Sequence, residues 1–335
     1  MDYPIVKLNR HQIEKINKFN NNPEIKYEET SCLNCTSTEN KILFKNDRYG
    51  FKLTTVICKN CGLIFSNPRM AKDTTNYFYE SDTYRGIYVG QKEKIYSDAD
   101  IKSNIVFSFK KKNKINLYNY YDQLFFDIIN SLDIQYDSVC EIGAGGGWNL
   151  KPFQQNKKKV CGYEPSKLLS NYAKKKNINI INDTSNNIKG EYDLVILRHV
   201  FEHFLNPIEE LKNLRKNIKK YIFIEVPGCI NKLPDLQNAH NINFSLNTLS
   251  EVLNKCKFKK IYLNYCKSNE FIFAIFEKVD EVDKFTYNYT NEVKRKLTIY
   301  NKFRINYAIR KMIKKINPSL EEVLLKAYKK LKSLK

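Results

Sequence analysis

Arginine is scarce in this 335-residue chain, at 9 copies against 48 lysines, even though Lys and Arg outnumber Asp and Glu by 57 to 36 and leave a formal charge of +21. Bidentate recognition of bases and phosphates leans on the guanidinium fork, so the charge alone does not make the chain a nucleic-acid reader. Lysine also rises together with Asn, Ile and Tyr, as an AT-biased coding composition would make it. No apolar run reaches 18 residues, which excludes a spanning helix. The opening stretch to Phe19 has no uninterrupted apolar segment of the kind a secretory signal carries. No internal repeat is visible. Nine cysteines are an odd number, and Cys140, Cys161, Cys229, Cys256 and Cys266 stand singly, mostly in or beside apolar runs. Lone buried thiols predict a reducing, cytoplasmic setting.

What the chain does have is apolar residues in short, spaced runs. They make up 42% of the residues, with 13% aromatics, which is ample for a core and rules out general disorder. The length suits about two domains, and four regions differ in pattern. Residues 1–70 hold paired cysteines and end at Pro68. Residues 71–135 are aromatic and helical in pattern, with Leu117, Tyr120, Tyr121, Leu124, Phe125, Ile128 and Ile129 on one face. Residues 136–280 alternate apolar runs with amphipathic stretches. The runs begin at Ser138, Val160, Ile178, Tyr192, Tyr221, Lys260 and Phe271, and only Lys267 to Glu270 separates the last two. This predicts an α/β fold: a doubly wound, mostly parallel, Rossmann-like sheet finishing in a hairpin, with its ligand at the carboxyl edge of the strands. Residues 281–335 read as a helical tail. Ile305, Ile309, Met312 and Ile316 share a face, and Ser319 with Glu322 forms a capping-box pattern.

Two motifs carry chemistry. In the first, Glu141-Ile-Gly143-Ala-Gly145-Gly-Gly147 follows an apolar run and precedes a helical start at Trp148. Glycines there let the backbone turn sharply and bring N–H groups against a ligand. Glu164 ends the next run, where a carboxylate can accept both hydroxyls of a ribose. A dinucleotide fingerprint would need a third glycine at position 148, which is Trp148. In the second motif, Cys32-x2-Cys35 and Cys58-x2-Cys61 offer four thiolates in two knuckles, with room for a hairpin between them. Four soft ligands suit a closed, structural Zn²⁺ site; a redox dithiol or disulfides are the alternatives, and the second copy and the compartment count against them.

The glycine turn resembles the E/D-x-G-x-G-x-G signature of class I S-adenosylmethionine-dependent methyltransferases, and Gly162-Tyr-Glu-Pro-Ser166 looks like their second motif. The paired cysteines, the helical segment and this core together resemble the sugar C-methyltransferase family and the wider set of zinc-ribbon methyltransferases of surface-polysaccharide pathways. The resemblance spans roughly residues 30–280. It implies that S-adenosyl-L-methionine is the cofactor, with Glu141, Gly143, Gly145 and Gly147 beside its methionine part, Glu164 on the ribose, and Arg198 and His199 near the adenine edge. It implies a nucleotide-linked sugar or glycan precursor as substrate. The family's Tyr-x-Glu-His segment reads Gln237-Asn-Ala-His240 here, so the histidine is kept while the tyrosine and glutamate are gone. That shifts the expectation from C-methylation toward O-methylation of a sugar hydroxyl.

Three of the four histidines, His199, His203 and His240, follow the fourth and fifth strands of the expected core. His203 and His240 are the candidates for general base or acceptor orientation. The other reading of His203 is a helix-face residue paired with Glu202, and His199 has the alternative of lining a pocket without chemistry. Tyr77, Phe78, Tyr79, Tyr84 and Tyr88 either stack on a sugar or base or pack between domains. Residues 294–335 carry +12 of the +21 charge. Such a tail either lies peripherally on an anionic inner-membrane surface or packs on its own core through Ile305, Met312, Leu324 and Leu331. An RNA methyltransferase and a non-catalytic scaffold are the competing functions. A [DN]-P-P-[YF] turn and a Pro-Cys nucleophile are both absent, which counts against the RNA reading.

Overall fold

The computed structural model describes residues 8–80, 125–228, 239–266, 271–282 and 289–316, together with Val6, Thr83, Tyr84 and Ile87. Tyr88, Leu117 to Leu124, Cys229, Gln237 and the expected capping box at Ser319 lie outside the described residues. The amino-terminal region is built from short elements. Helix α1 (Arg10–Asn20) starts at a reciprocal capping box between Asn9 and Gln12. Strand β1 (Tyr27–Glu28) precedes a hairpin and a third strand, β2 (Asn40–Phe44), β3 (Thr55–Cys58) and β4 (Ile64–Ser66); β5 (Arg69–Met70) then pairs back onto β1, and α2 (Lys72–Glu80) follows. Phe78 of α2 is fully buried against Phe19 and Phe51. For this residue the aromatic run is packing.

The seven apolar runs of the central region all become strands: β6 (Ser138–Ile142), β7 (Lys159–Tyr163), β8 (Ile180–Ile181), β9 (Tyr192–Arg198), β10 (Ile218–Pro227), then β12 (Phe258–Tyr265) and β13 (Phe271–Lys278). They form one sheet in the order β12-β13-β10-β9-β6-β7-β8. The strands from β10 to β8 are parallel, and β13 and β12 close the edge antiparallel. Helices α3 (Lys151–Gln155), α4 (Lys167–Lys175) and α5 (Pro207–Leu214) lie between the parallel strands. Alternate residues feed opposite faces, Val139, Ile196 and Phe223 into one apolar cluster and Cys140, Val195 and Ile222 into the other. The chain leaves β6 toward β7 and β8, then returns to β9 on the other side. That reversal opens a crevice at the carboxyl ends of β6 and β9.

Two late segments return to the amino-terminal region. Strand β11 (Ile242–Asn243) pairs with β4, so the small sheet has the order β11-β4-β3-β2, and α6 (Leu246–Lys255) follows it. The helical tail begins as α7 (Tyr289–Ile316). Its Val293 and Tyr300 are buried with Leu43, Phe44, Ile57 and Ile64 of the small sheet. The Tyr300 hydroxyl donates to the Leu43 carbonyl, and Lys296 Nζ sits 2.7 Å from Glu292 and donates to the Gly62 carbonyl at 2.8 Å. Packing of the tail through Ile305 and Met312 is not what the structure shows. These side chains are 59% and 63% exposed, and the buried seam lies earlier, at Val293, Leu297 and Tyr300. Periodicity marked a face of the helix; the small sheet covers a different one.

Candidate functional site

The two cysteine pairs form matching turns. In each, the N–H of the residue after the second cysteine reaches the first cysteine's carbonyl (Thr36 to Cys32, 2.9 Å; Gly62 to Cys58, 3.0 Å). The first cysteine's N–H in turn reaches the residue beyond (Cys32 to Ser37, Cys58 to Leu63, both 2.9 Å). Thr36 and Gly62 hold the left-handed conformations this turn requires, φ 59° and 75°. A Cβ on Gly62 would also crowd Val293 of α7 at 3.3 Å. The four sulfurs converge within 4.8 Å of one another, with Cys32–Cys61 and Cys35–Cys58 both at 3.5 Å and no disulfide. Sulfurs about 2.3 Å from one tetrahedral zinc lie about 3.8 Å apart, so the set fits a closed metal site. Hydrogen bonds with Cys58 and Cys61, and then burial, hold the Cys32 thiol protonated, whereas the bonds it receives make Cys58 the natural thiolate. Ionising all four requires a cation among them. The first knuckle is docked to α6: Asn34 Nδ2 donates to Glu251, and Lys255 Nζ donates to the Asn34 carbonyl, both at 2.5 Å.

The glycine turn stands where expected, between β6 and α3. Gly143, Gly145 and Gly147 have φ of 67°, 54° and 77°. A Cβ on Gly143 would lie 2.6 Å from Val200 Cγ2, which places the segment after β9 directly against the turn. Glu164, just beyond β7, is 8% exposed and accepts from the Gly145 N–H at 2.9 Å and the Ser166 N–H at 2.8 Å. One carboxylate therefore fixes both the turn and the start of α4. The open cradle and this anchored acid fit a nucleoside cofactor.

From the turn a chain of polar contacts crosses the strand edge. Asn149 Nδ2 donates to Glu141 at 2.5 Å, and Arg198 Nη1 donates to Asn149. Arg198 Nε also donates to Glu225 at 2.5 Å, and its guanidinium lies 4.6 Å from the Phe125 ring centre. Arg198 and Glu225 are nearly inaccessible, with side chains 9% and 2% exposed. Burial works against the Glu225 charge, but Arg198 outweighs it and holds the carboxyl at about 2. His199, with φ 53°, points Nε2 at Glu225 (3.2 Å) and Nδ1 at Glu202 (3.5 Å). Burial opposes its charge too, yet the two carboxylates raise it to about 10, so His199 is a cation at neutral pH.

The structure brings His203 and His240 together, with ring centres 5.0 Å apart, both facing Glu202. Glu202 is 1% exposed, and its Oε1 lies 3.9 Å from His203 Nε2 and 3.8 Å from His240 Nε2. His203 Nδ1 contacts the Ala239 carbonyl at 2.5 Å and the Tyr79 hydroxyl at 2.7 Å, and that hydroxyl donates to the same carbonyl at 3.0 Å. Burial pushes His240 down to about 3 and keeps it neutral. Sequence reasoning had named the histidines but not Tyr79 singly, Asn149 or Glu225, and it treated Glu202 only as a partner. Glu225 closes an apolar run as Glu141 does, and that was the signal available for it.

Residues 102–254 match a family described as a methyltransferase domain. Among solved structures, magnesium protoporphyrin IX methyltransferase of Synechocystis aligns over 62% of this chain and 96% of its own, with 12% identity and a TM-score of 0.42. An S-adenosylmethionine-dependent methyltransferase from Aquifex aeolicus covers 46% and 89%, with 16% identity and a TM-score of 0.40. The 1,6-didemethyltoxoflavin-N1-methyltransferase of Burkholderia thailandensis covers 57% and 94%, with 12% identity and a TM-score of 0.42. No curated protein matches the chain. Among the described residues no helix is long and apolar enough to cross a membrane.

Proposed function

We infer that this chain, an S-adenosylmethionine-dependent methyltransferase by its matched domain, methylates a hydroxyl of a sugar, either nucleotide-linked or part of a surface-glycan precursor. The observation that carries the reading is the convergence of Glu202, His203 and His240, in the segment whose Val200 packs on the glycine turn, with Ala239 where the sugar C-methyltransferases have an acid. Ala239 contributes only its carbonyl to the cluster, so the groups that would serve an enolised keto sugar are missing and a hydroxyl acceptor remains.

The cofactor supplies a methyl group activated by a sulfonium. The protein's part is to hold the acceptor oxygen in line with it and to ease loss of the hydroxyl proton. Glu164 takes the ribose, Glu141 stands beside the methionine part, and Arg198 with Asn149 locks Glu141 in place. His199, charged between two carboxylates, is a positioning group for Glu202 and Glu225. His203 and His240 orient the acceptor. Zn²⁺ on Cys32, Cys35, Cys58 and Cys61 is structural, because four protein sulfurs leave no position for a reactant. The basic face of α7 is proposed to rest on an anionic membrane surface, where glycan precursors are assembled.

Methyl transfer from labelled adenosylmethionine to a panel of nucleotide sugars tests the assignment. Incorporation into a sugar as a base-stable ether is expected. Label in RNA with none in sugars, or label on sugar carbon, overturns it.

A further inference from the structure

The Glu202 carboxylate has a charged neighbour in His199, 3.5 Å away, but no donor that satisfies its oxygens. It is 1% exposed, and among the described residues neither of its oxygens has a hydrogen-bond partner. Around Oε1 stand only ring nitrogens, His199 Nδ1 at 3.5 Å, His240 Nε2 at 3.8 Å and His203 Nε2 at 3.9 Å. A buried carboxylate needs hydrogen-bond donors or a coordinated cation, and His199 brings charge without a hydrogen bond. The Ala239 carbonyl 2.5 Å from His203 Nδ1 can only accept, so Nδ1 carries a proton and Nε2 is the nitrogen turned toward Glu202. Oε1 and Nε2 face each other across 3.9 Å, and His240 Nε2 completes a triangle whose ligand atoms all lie within 4.8 Å.

We propose that Glu202, His203 and His240 hold a divalent first-row cation on which the oxygens of the acceptor are seated. Two imidazoles and a carboxylate suit such an ion and leave coordination positions open. Donors each about 2.1 Å from one tetrahedral ion lie about 3.4 Å apart, so the carboxylate–imidazole edges of 3.9 and 3.8 Å close on an ion by shortening a few tenths of an ångström. Tyr79 and Ala239 act from behind, fixing the proton on Nδ1 so that Nε2 is free to ligate, as partners behind metal-bound histidines do. The acceptor class is thereby narrowed, on the strength of the sugar reading above, to a vicinal diol. Two adjacent hydroxyls fill neighbouring open positions, and a hydroxyl bound to a dication releases its proton to water more readily.

The test is Mn²⁺ titration of the full, zinc-replete chain, with free ion read by electron paramagnetic resonance. One saturable site is expected. Glu202→Gln should weaken it at least tenfold, and Tyr79→Phe, which removes only the hydroxyl behind His203, about tenfold. Adenosylmethionine calorimetry on each variant confirms that the core is folded. Absence of saturable Mn²⁺ binding in the unaltered protein overturns the proposal. So does unchanged affinity in a Glu202→Gln chain that still binds cofactor, or in Tyr79→Phe should Glu202→Gln not fold. Sugar methylation at full rate in Mn²⁺-free and Mn²⁺-containing buffer alike removes the cation and leaves the sugar reading standing. Mn²⁺ binding without methylation of any diol does the reverse.

Discussion

Glu164 satisfies two backbone N–H groups, those of Gly145 and Ser166, with one side chain. Charge-assisted hydrogen bonds contribute about 1.5–3 kcal/mol each, so Glu164→Ala should weaken adenosylmethionine binding by at least about tenfold in calorimetry. Unaltered affinity would remove Glu164 from the cofactor site. At this scale the sequence was most informative about backbone chemistry. Glycines spaced after an apolar run signalled the turn, because few other residues accept its positive φ. It was least informative about which polar side chains point inward. Arg198-His-Val-Phe-Glu-His203 holds four polar groups in six residues, and only the short turn after β9, with His199 at φ 53°, determines that Glu202 is the most deeply buried of them.

Helix α7 shows the same division one level up. The run Ile305, Ile309, Met312 stands out in the sequence, but those side chains face solvent. The holding contacts are a quieter seam, Val293, Leu297 and Tyr300, plus a buried ion pair between Glu292 and Lys296, whose side chains are 1% and 2% exposed. Burial works to raise the Glu292 carboxyl, but Lys296 outweighs it and holds it below its ordinary value of 4.5. A depressed acid stabilises the fold above its unfolded pKa, and that contribution is lost as pH falls through the folded one. Glu292→Gln, which strands a buried ammonium, should cost about 3–5 kcal/mol in denaturant unfolding at neutral pH. The gap from the unaltered protein should narrow as pH drops below about 4.5. A constant gap across that range would rule out the ion pair as its source. Strand β11 is the element least legible beforehand: two residues, Ile242 and Asn243, carry no periodicity, and their place follows only from pairing with β4.

Across the whole molecule, charge and apolar exposure coincide. Residues 294–316 carry nine Lys or Arg and no acid, on the helix that also exposes Ile305, Ile309 and Met312. Each basic residue near an anionic surface contributes about 1 kcal/mol, so co-sedimentation with anionic vesicles is expected, and with neutral ones it is not. Ile305→Asp with Met312→Asp should abolish it while leaving the seam on the small sheet intact. Deleting the tail from residue 294 would be a poorer probe, since it also removes Lys296 and Tyr300. Equal partitioning of the double variant and the unaltered chain would refute membrane docking by this face. The mostly parallel sheet with its closing hairpin was legible at this scale because apolar runs and crossover lengths restrict topology strongly. How the amino-terminal region joins the core was not, since that depends on side chains such as Asn34, Glu251 and Lys255 meeting across the fold.

The return of β11 and α7 to the small sheet has a consequence for synthesis. Three strands of the small sheet are made early, yet its fourth strand and the helix that covers Leu43 and Ile57 leave the ribosome only after most of the central sheet. A nascent chain stalled before residue 242 would expose the edge of β4 and the apolar face beneath α7, surfaces prone to capture by other chains. On the metal reading proposed for them, the four cysteines, all made by residue 61, are the groups available to hold the early segment in register until its covering pieces arrive.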